Sequence, residues 1–244
     1  MSSSPTILAI ETATSSCSAA LCVNGQIRER SLVGNNVHSQ VLLTMINELC
    51  EELSVTPDQF DAVAVGQGPG SFTGLRIGVG IGQGIAYGAA CPMIGVSSLD
   101  ALALQSTVEG HVVAALDARM GELYWCEYRI TSTESNYTNR QFNRIGSLRV
   151  SPPAELLVSA DAVFVGNAWE EYSDDFSAAF LSSVTRLENV VYPEASALLE
   201  LAIQRYRVGD WINAQDFKPI YVRDNVAKKA KPQKTNPARS NHKM

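Results

Sequence analysis

Residues 61–88 read DAVAVGQGPGSFTGLRIGVGIGQGIAYG and hold nine of the 17 glycines of this 244-residue chain. Residues 61–66 are a short run of apolar, β-forming residues, which predicts a buried strand of a parallel or mixed sheet. A sharp turn at residues 68–70 follows, and Ser71 or Thr73 can cap the helix that comes next. The sequence therefore predicts a strand, a tight loop and a helix in direct succession.

The predicted helix begins near Gly74 and is unusually rich in glycine. Its glycines form two rows at four-residue spacing: Gly74, Gly78 and Gly82 in one, and Gly80, Gly84 and Gly88 in the other. Each helical glycine costs about 1 kcal/mol relative to alanine. We therefore expect the helix backbone to lie close to a neighbour. Two interpretations stay open, namely packing on its own sheet and contact with another subunit.

The segments before this unit predict a three-strand meander and one more helix. Strands at residues 6–10, 17–23 and 26–31 are joined in part by Asn24-Gly25, a strong type I′ hairpin signal. The helix over residues 39–53 is amphipathic. Its apolar face consists of Val41, Leu42, Met45, Ile46, Leu49 and Leu53.

The same order of segments recurs in the second part of the chain. DAVFVG at residues 161–166 repeats DAVAVG at an offset of 100 residues, and ALDA after His111 echoes AIET after Leu8 at an offset of 106. A helix predicted over residues 194–207 follows the second copy. These matches favour a duplicated unit. We expect one half over residues 1–107, a second half over 108–226 with a surface excursion at 131–146, and a disordered basic tail over 227–244.

The charge distribution is uneven and limits the possible partners. All six lysines lie at Lys218 or beyond, so the preceding body carries 11 arginines against 24 acids, while the end of the chain carries eight cations against Asp224. An acidic body is a poor receptor for a phosphate backbone, so we expect any nucleic-acid contact only through a partner or the tail. No signal peptide or membrane span is apparent, and we expect a cytoplasmic protein.

The sequence motifs give little support to catalysis by this chain on its own. A P-loop is excluded by the absence of lysine before Lys218, and the glycines never fall into the dinucleotide-binding register. Ser71 resembles a nucleophile elbow only loosely, and His38 and His111 are its sole plausible bases. A peptidase or a nucleotide hydrolase nevertheless stays open as an alternative.

The string GQGPGSFTGLRIG, residues 66–78, resembles the signature of the TsaB (YeaZ) family, the bacterial partner of TsaD. The resemblance covers residues 7–225. It implies an α/β, duplicated actin-like (ASKHA, ribonuclease H-like) fold with two mixed-sheet halves and a cleft between them. The signature loop consists of Gly68, Pro69, Gly70, Ser71, Phe72, Thr73 and Gly74.

The resemblance also implies a function without catalysis by this chain. TsaB-like proteins pair with TsaD, act with the ATPase TsaE, and support transfer of a threonylcarbamoyl group to adenosine of tRNAs that read ANN codons. Homodimers are expected when TsaD is absent. The resemblance places the partner contact on two helices of the first half. The residues so assigned are Val41, Leu42, Met45, Ile46, Leu49, Gly74, Arg76, Gly78, Val79 and Gly82.

The nucleotide cleft of actin-like ATPases looks degenerate in this sequence. Their first strand turn carries an aspartate followed by glycine-containing phosphate-binding residues, whereas this chain has Glu11 and Thr12 there and Asp117 in the repeat. TsaD relatives hold a metal through H-x-x-x-H, but Leu42 stands where the second histidine after His38 is needed. The resemblance thus implies no cofactor on this chain, with ATP and metal on TsaD and TsaE. The alternatives are a stand-alone actin-like ATPase, a glycoprotease-type peptidase, and tRNA binding by the tail.

Overall fold

The computed structural model describes residues 4–132 and 140–222, in which ten strands form two five-stranded sheets of the same plan. The first sheet has the order β3-β2-β1-β4-β5 and consists of β1 (Ile7–Glu11), β2 (Ser16–Val23), β3 (Gln26–Val33), β4 (Ala62–Gly68) and β5 (Met93–Ser97). The second has the order β8-β7-β6-β9-β10 and consists of β6 (Gly110–Asp117), β7 (Leu123–Ser132), β8 (Arg140–Ser151), β9 (Ala162–Val165) and β10 (Val184–Arg186).

The two sheets match in strand direction as well as in order. In each sheet the first three strands are antiparallel and the last two run parallel to the first. Ala62 pairs with Ile7, and Val163 pairs with Val112, so the two copies of the repeated string lie at equivalent places. The prediction of a duplicated, mixed-sheet α/β fold is confirmed.

Six helices of the described residues pack on these sheets: α1 (His38–Leu53), α2 (Phe72–Gly88), α3 (Ser98–Leu104), α4 (Ala168–Tyr172), α5 (Ala178–Ser183) and α6 (Ala195–Arg207). The glycine-rich helix, α2, starts two residues earlier than predicted. Ser71 is its N-cap, and the Ser71 side chain accepts a hydrogen bond from the Gly74 amide at 3.2 Å. Helices α1 and α2 share one face of the first sheet, where their apolar side chains form a common core with Leu8, Ile10 and Val65.

Two helices lie on the sheet of the opposite half. Helix α3 follows the first sheet in the chain, yet Leu99 and Leu102 pack on the second sheet. Helix α6 was expected to complete the second repeat, but Leu198 and Leu199 pack on the first sheet, opposite α1 and α2. The N-terminal amide of Ala195 donates to the buried Ser18 hydroxyl at 3.0 Å, which fixes α6 there. This exchange ties the two predicted halves together.

Two further predictions concern the edges of the molecule. The surface excursion predicted at residues 131–146 is wrong in its later part, because β8 begins at Arg140 and pairs with β7. Residues 217–222, which we call the closing segment, pack onto the body: Phe217 is buried, and the Ile220 amide donates to the Gln67 carbonyl at 2.9 Å. Residues 227–244, the predicted disordered tail, lie outside the described residues. Within residues 4–132 and 140–222, no helix has the length and apolar character needed to cross a bilayer.

Candidate functional site

A cleft of about 810 Å³ separates the two halves. The first half contributes the turn at residues 13–15 and the signature loop at 69–75, and the second contributes residues 116–120 and the start of α4. Because both walls come from segments that follow a strand, the cleft lies at the carboxyl ends of β1, β4 and β6. This is the edge at which open α/β sheets place their ligands.

Glu11 lies at the end of β1 and is completely buried behind this cleft. One carboxylate oxygen accepts from the Ala13 amide at 2.7 Å, and the other accepts from the Ser98 hydroxyl at 2.8 Å. Burial raises the pKa of Glu11 from 4.5 to about 7, and the hydrogen bonds from Ala13 and Ser98 only partly oppose this. A Cβ at Gly66 would overlap the carboxylate. The assignment of Glu11 to the nucleotide cleft is wrong, because the side chain is buried and does not line the cavity.

Thr12 is also buried rather than exposed to the cleft. Its hydroxyl donates to the Gly74 carbonyl at 2.9 Å, and a Cβ at Gly78 would overlap this hydroxyl. A Cβ at Gly82 would lie 2.6 Å from the Val65 side chain. The row Gly74, Gly78 and Gly82 thus packs against β1 and β4, which confirms the first interpretation of the glycine pattern. The assignment of Thr12 to the nucleotide cleft is wrong, because the residue supports α2.

Of the three predicted cleft residues, Asp117 alone lines the cavity. Its carboxylate accepts from the Tyr172 hydroxyl and from the Arg119 amide, both at 2.7 Å, and the Arg119 guanidinium lies 3.1 Å from its second oxygen. Burial and the bond to Asp117 raise the pKa of Tyr172 to about 12. The carboxylate therefore joins its own loop to α4 and is not a free acceptor in the cleft.

The signature loop has a structural role in this geometry. The Ser71 amide donates to the Ala13 carbonyl at 2.7 Å, and a Cβ at Gly70 would overlap the same carbonyl. The Ser71 hydroxyl caps α2. The loop thus clamps the β1–β2 turn against the start of α2, which explains why this stretch needs small residues.

The two histidines of the described residues have hydrogen-bond partners other than Ser71. His38 lines the same cleft as Ser71, but its Nε2 atom lies 2.9 Å from the Thr14 carbonyl. The Nδ1 atom of His111 lies 2.8 Å from Glu127 on the second sheet. These positions do not support the serine peptidase alternative.

Comparison with known proteins agrees with this architecture. The chain is 36% identical to the tRNA threonylcarbamoyladenosine biosynthesis protein TsaB of Escherichia coli, over 93% of this chain and 99% of that protein. It is 37% identical to the protein of the same name from Haemophilus influenzae, over 93% and 97% of the two chains. The chain belongs to the TsaB (YeaZ) family. Residues 33–231 also match the family model described as TsaD, tRNA N6-adenosine threonylcarbamoyltransferase.

A solved TsaB-family structure supports the fold directly. YeaZ from Pseudomonas aeruginosa superposes with a TM-score of 0.79 at 33% identity, covering 89% of this chain and all of that one. Because that match spans both sheets, the duplicated actin-like plan belongs to the whole described chain. Among the described residues, the TsaB-family chain brings together no group of three His, Cys, Asp or Glu side chains that could hold a metal ion.

The partner residues assigned from sequence divide into an inner and an outer set. Leu42, Met45, Ile46, Leu49 and Val79 lie in the core beneath α1 and α2, as do the three inner glycines, so these side chains cannot meet a partner while the chain is folded. Val41 is half-buried, whereas Arg76 is exposed. An amphipathic pattern identifies the apolar face of a helix. In α1 and α2 that face packs in the hydrophobic core of the chain itself.

The partner residues assigned from sequence omit most of the exposed side of α1 and α2. Gly80, Gly84 and Gly88 are exposed, and among the described residues a Cβ at any of them would meet no atom of another segment within 4 Å. Tyr87 is 80% exposed beside them, and Leu43 of α1 is 51% exposed. The signal was the second glycine row, whose cost no neighbour within residues 4–132 and 140–222 explains.

Proposed function

We propose that this chain is the non-catalytic subunit of the assembly that transfers a threonylcarbamoyl group to adenosine in tRNAs reading ANN codons. Its partner is a TsaD protein, and TsaE acts with the pair. The proposal is supported by the names of the relatives, which assign TsaB proteins to tRNA threonylcarbamoyladenosine biosynthesis. The non-catalytic role is inferred from the burial and hydrogen bonding of Glu11.

Glu11 stands where an actin-like ATPase needs an exposed acidic residue, and it is sealed from the cleft. Both of its oxygens are already bonded within the chain. No lysine precedes Lys218 to offset phosphate charge. The second-half wall adds Asp117, Glu170 and Glu171, which repel a triphosphate. ATP and metal are therefore assigned to TsaD and TsaE.

The partner surface consists of the outward faces of α1 and α2. We define it by Leu43, Arg76, Gly80, Gly84, Tyr87 and Gly88, which are all exposed. Open glycines let the backbone of a second helix approach closely, and an exposed tyrosine supplies the apolar area that interfaces favour. The same surface accounts for a homodimer when TsaD is absent, because an isologous contact uses one patch twice.

The Arg76 side chain extends this surface toward the closing segment. Its guanidinium lies 3.6 Å from the Phe72 ring centre, and its Nε atom donates to the Tyr221 hydroxyl at 3.0 Å. Phe72 and Tyr221 pack with ring centres 5.4 Å apart. This exposed cluster presents aromatic rings and a cation in a fixed arrangement at the start of α2, and Arg and Tyr are enriched at binding hot spots.

Reconstitution tests the proposal. Purified TsaD and TsaE are combined with tRNA and threonylcarbamoyl-adenylate, and modified adenosine is measured by mass spectrometry of digested tRNA. We expect this chain to raise product formation by at least ~10-fold, because the assembly needs its docked subunit. The variant Asp117→Asn should do so equally well, since Asp117 only joins its own loop to α4. Full activity without this chain, or activity of this chain without TsaD, would overturn the proposal.

A nucleotide titration separates this function from the ATPase alternative. When the isolated full-length chain is titrated with ATP and Mg²⁺ in a calorimeter, we expect a dissociation constant weaker than about 1 mM. The reason is the acidic cleft wall and the sealed carboxylate of Glu11. Micromolar binding that Asp117→Ala removes would instead establish a working nucleotide site.

A further inference from the structure

Arg76 is the only charged residue among the 17 residues of α2. It is exposed near the start of the helix, where the partner surface meets the closing segment. The ion pairs within residues 4–132 and 140–222 use other cations, namely Arg28, Arg30, His111, Arg119, Arg144, Arg186 and Arg205. The charge of Arg76 therefore has no carboxylate partner in the described part of its own chain.

Two aromatic residues fix the position of this charge. The guanidinium carbon of Arg76 lies 3.6 Å from the ring centre of Phe72 and 5.9 Å from that of Tyr221, and the Nε atom donates to the Tyr221 hydroxyl at 3.0 Å. Tyr221 is itself held on the body, because the neighbouring Ile220 amide donates to the Gln67 carbonyl. A free arginine side chain loses rotamer entropy when it binds, and ordering it beforehand lowers that cost.

The N–H groups that remain determine which ligand fits. Arginine has five N–H donors, and within the described residues only the Nε donor of Arg76 has a hydrogen-bond acceptor. The four donors on the two Nη atoms form a planar fork that matches the two oxygens of a carboxylate. The Phe72 ring attracts the guanidinium, which is weakly hydrated, so the group tolerates the loss of water at an interface.

We propose that Arg76 binds a carboxylate of the partner, an Asp or Glu side chain of the TsaD subunit, through its two Nη atoms. This inference rests on the proposed function, because Arg76 belongs to the partner surface. Since the rest of α2 is uncharged, one such pair sets the register of the partner on this helix.

The charge distribution favours a carboxylate over a tRNA phosphate, which fits the same fork. Residues 1–217 carry 11 arginines against 24 acids. Binding to a nucleic-acid backbone requires several cations that neutralise several phosphates, and an acidic body repels the rest of the backbone. A single carboxylate needs a single cation, which α2 supplies.

Surface plasmon resonance against TsaD tests the proposal. Arg76→Gln removes the charge and keeps a side chain that donates hydrogen bonds, and we expect its Kd to rise at least ~30-fold. Arg76→Lys keeps the charge without the fork, so a rise of about 5-fold to 10-fold is expected. Arg207→Gln removes an exposed arginine of α6, on the opposite face of the first sheet, and should leave the Kd unchanged. Urea denaturation shows whether each variant is folded.

The Arg76→Lys variant also identifies the acid. All natural lysines lie at Lys218 or beyond, so the introduced amine is the only lysine side chain in the preceding body. A carbodiimide joins an amine to a carboxylate when the two are in contact. We expect a crosslink from position 76 to one Asp or Glu of TsaD, located by mass spectrometry. Changing that acid to its amide should cost no further affinity in Arg76→Gln, because both changes remove the same contact.

The possible outcomes separate this inference from the proposed function. If the unaltered chain does not bind TsaD, the proposed function itself is wrong. If Arg76→Gln binds as tightly as Arg207→Gln, or if the crosslinks are scattered over many acids of TsaD, the carboxylate contact alone is overturned. A loss of affinity that occurs only in the presence of tRNA would assign Arg76 to a phosphate and would also overturn it.

Discussion

Replacing Gly84 by arginine is expected to weaken binding to a TsaD partner by at least ~100-fold, or about 2.7 kcal/mol, without unfolding the chain. Gly84 is exposed on α2, and a Cβ added there meets no other segment within 4 Å in the part of the chain that the structure describes. The new side chain therefore extends from the partner surface and keeps a second helix away. The substitution also removes the cost of a helical glycine, about 0.8–1 kcal/mol, so the free energy of unfolding should stay equal or rise.

Binding is measured by surface plasmon resonance against TsaD, and folding by urea denaturation. Gln204→Arg is the matched control, because Gln204 is exposed on α6, which covers the opposite face of the same sheet. It should leave binding unchanged. Equal loss of affinity in both variants would show that added charge, rather than this surface, is responsible.

Substitution in the buried glycine row, Gly74, Gly78 and Gly82, should instead lower the stability of the fold. In Gly78→Arg the Cβ overlaps the buried Thr12 hydroxyl, so we expect unfolding at ambient temperature or a loss of several kcal/mol of stability. Loss of partner binding by this variant then reports misfolding. The contrast between Gly78 and Gly84, six residues apart on one helix, is the signature of a helix with one face on the sheet and one on a partner.

Replacing Glu11 by glutamine is expected to stabilise the chain at pH 8 and to flatten its pH dependence. The folded-state pKa of Glu11, about 7, lies above the unfolded value of 4.5 because burial disfavours the carboxylate. Between these values the unfolded state loses its proton first, so the free energy of unfolding falls as pH rises from about 4.5 to 7. The full difference is roughly 3 kcal/mol and is an upper bound.

Urea denaturation of both proteins at pH 5 and pH 8 gives the measurement. In the variant the glutamine oxygen still accepts from the Ala13 amide, while the bond to Ser98 reverses: the Ser98 hydroxyl donates to Glu11, but it must accept from the glutamine amide group. Glu194→Gln is the control, because burial and the nearby Glu29 raise the pKa of Glu194 at a separate place. Parallel pH profiles for the Glu11→Gln variant and the unaltered chain would contradict the assignment of a buried, proton-holding Glu11.

Local patterns predicted the parts of this fold that depend on a few neighbouring residues. The Asn24-Gly25 turn joins β2 and β3 with both residues at positive φ, and the cap predicted from Ser71 is formed. The repeated DAVxVG string located equivalent strands in the two sheets. Turns, caps and strand periodicity are set by backbone sterics and short-range hydrogen bonds, so sequence is sufficient for them.

Local sequence patterns could not predict how a segment packs against distant parts of the chain. Helix α6 follows the second β-repeat, yet it covers the first sheet, because its apolar face fits that sheet and Ser18 holds its first turn. Glu11 looks like a cleft carboxylate from its place after a strand. Only the packing of α3 over it shows that the group is sealed and bonded to Ser98.

The glycine-rich stretch shows the division most clearly. The sequence by itself determined a duplicated α/β chain of the TsaB type, because repeat order, signature loop and charge distribution are properties of the string. Only the tertiary structure decided which glycine row faces inward and which acids line the cleft. These properties depend on contacts between segments that are distant in sequence. A helix with glycines on two faces has the same local sequence pattern whichever face is covered.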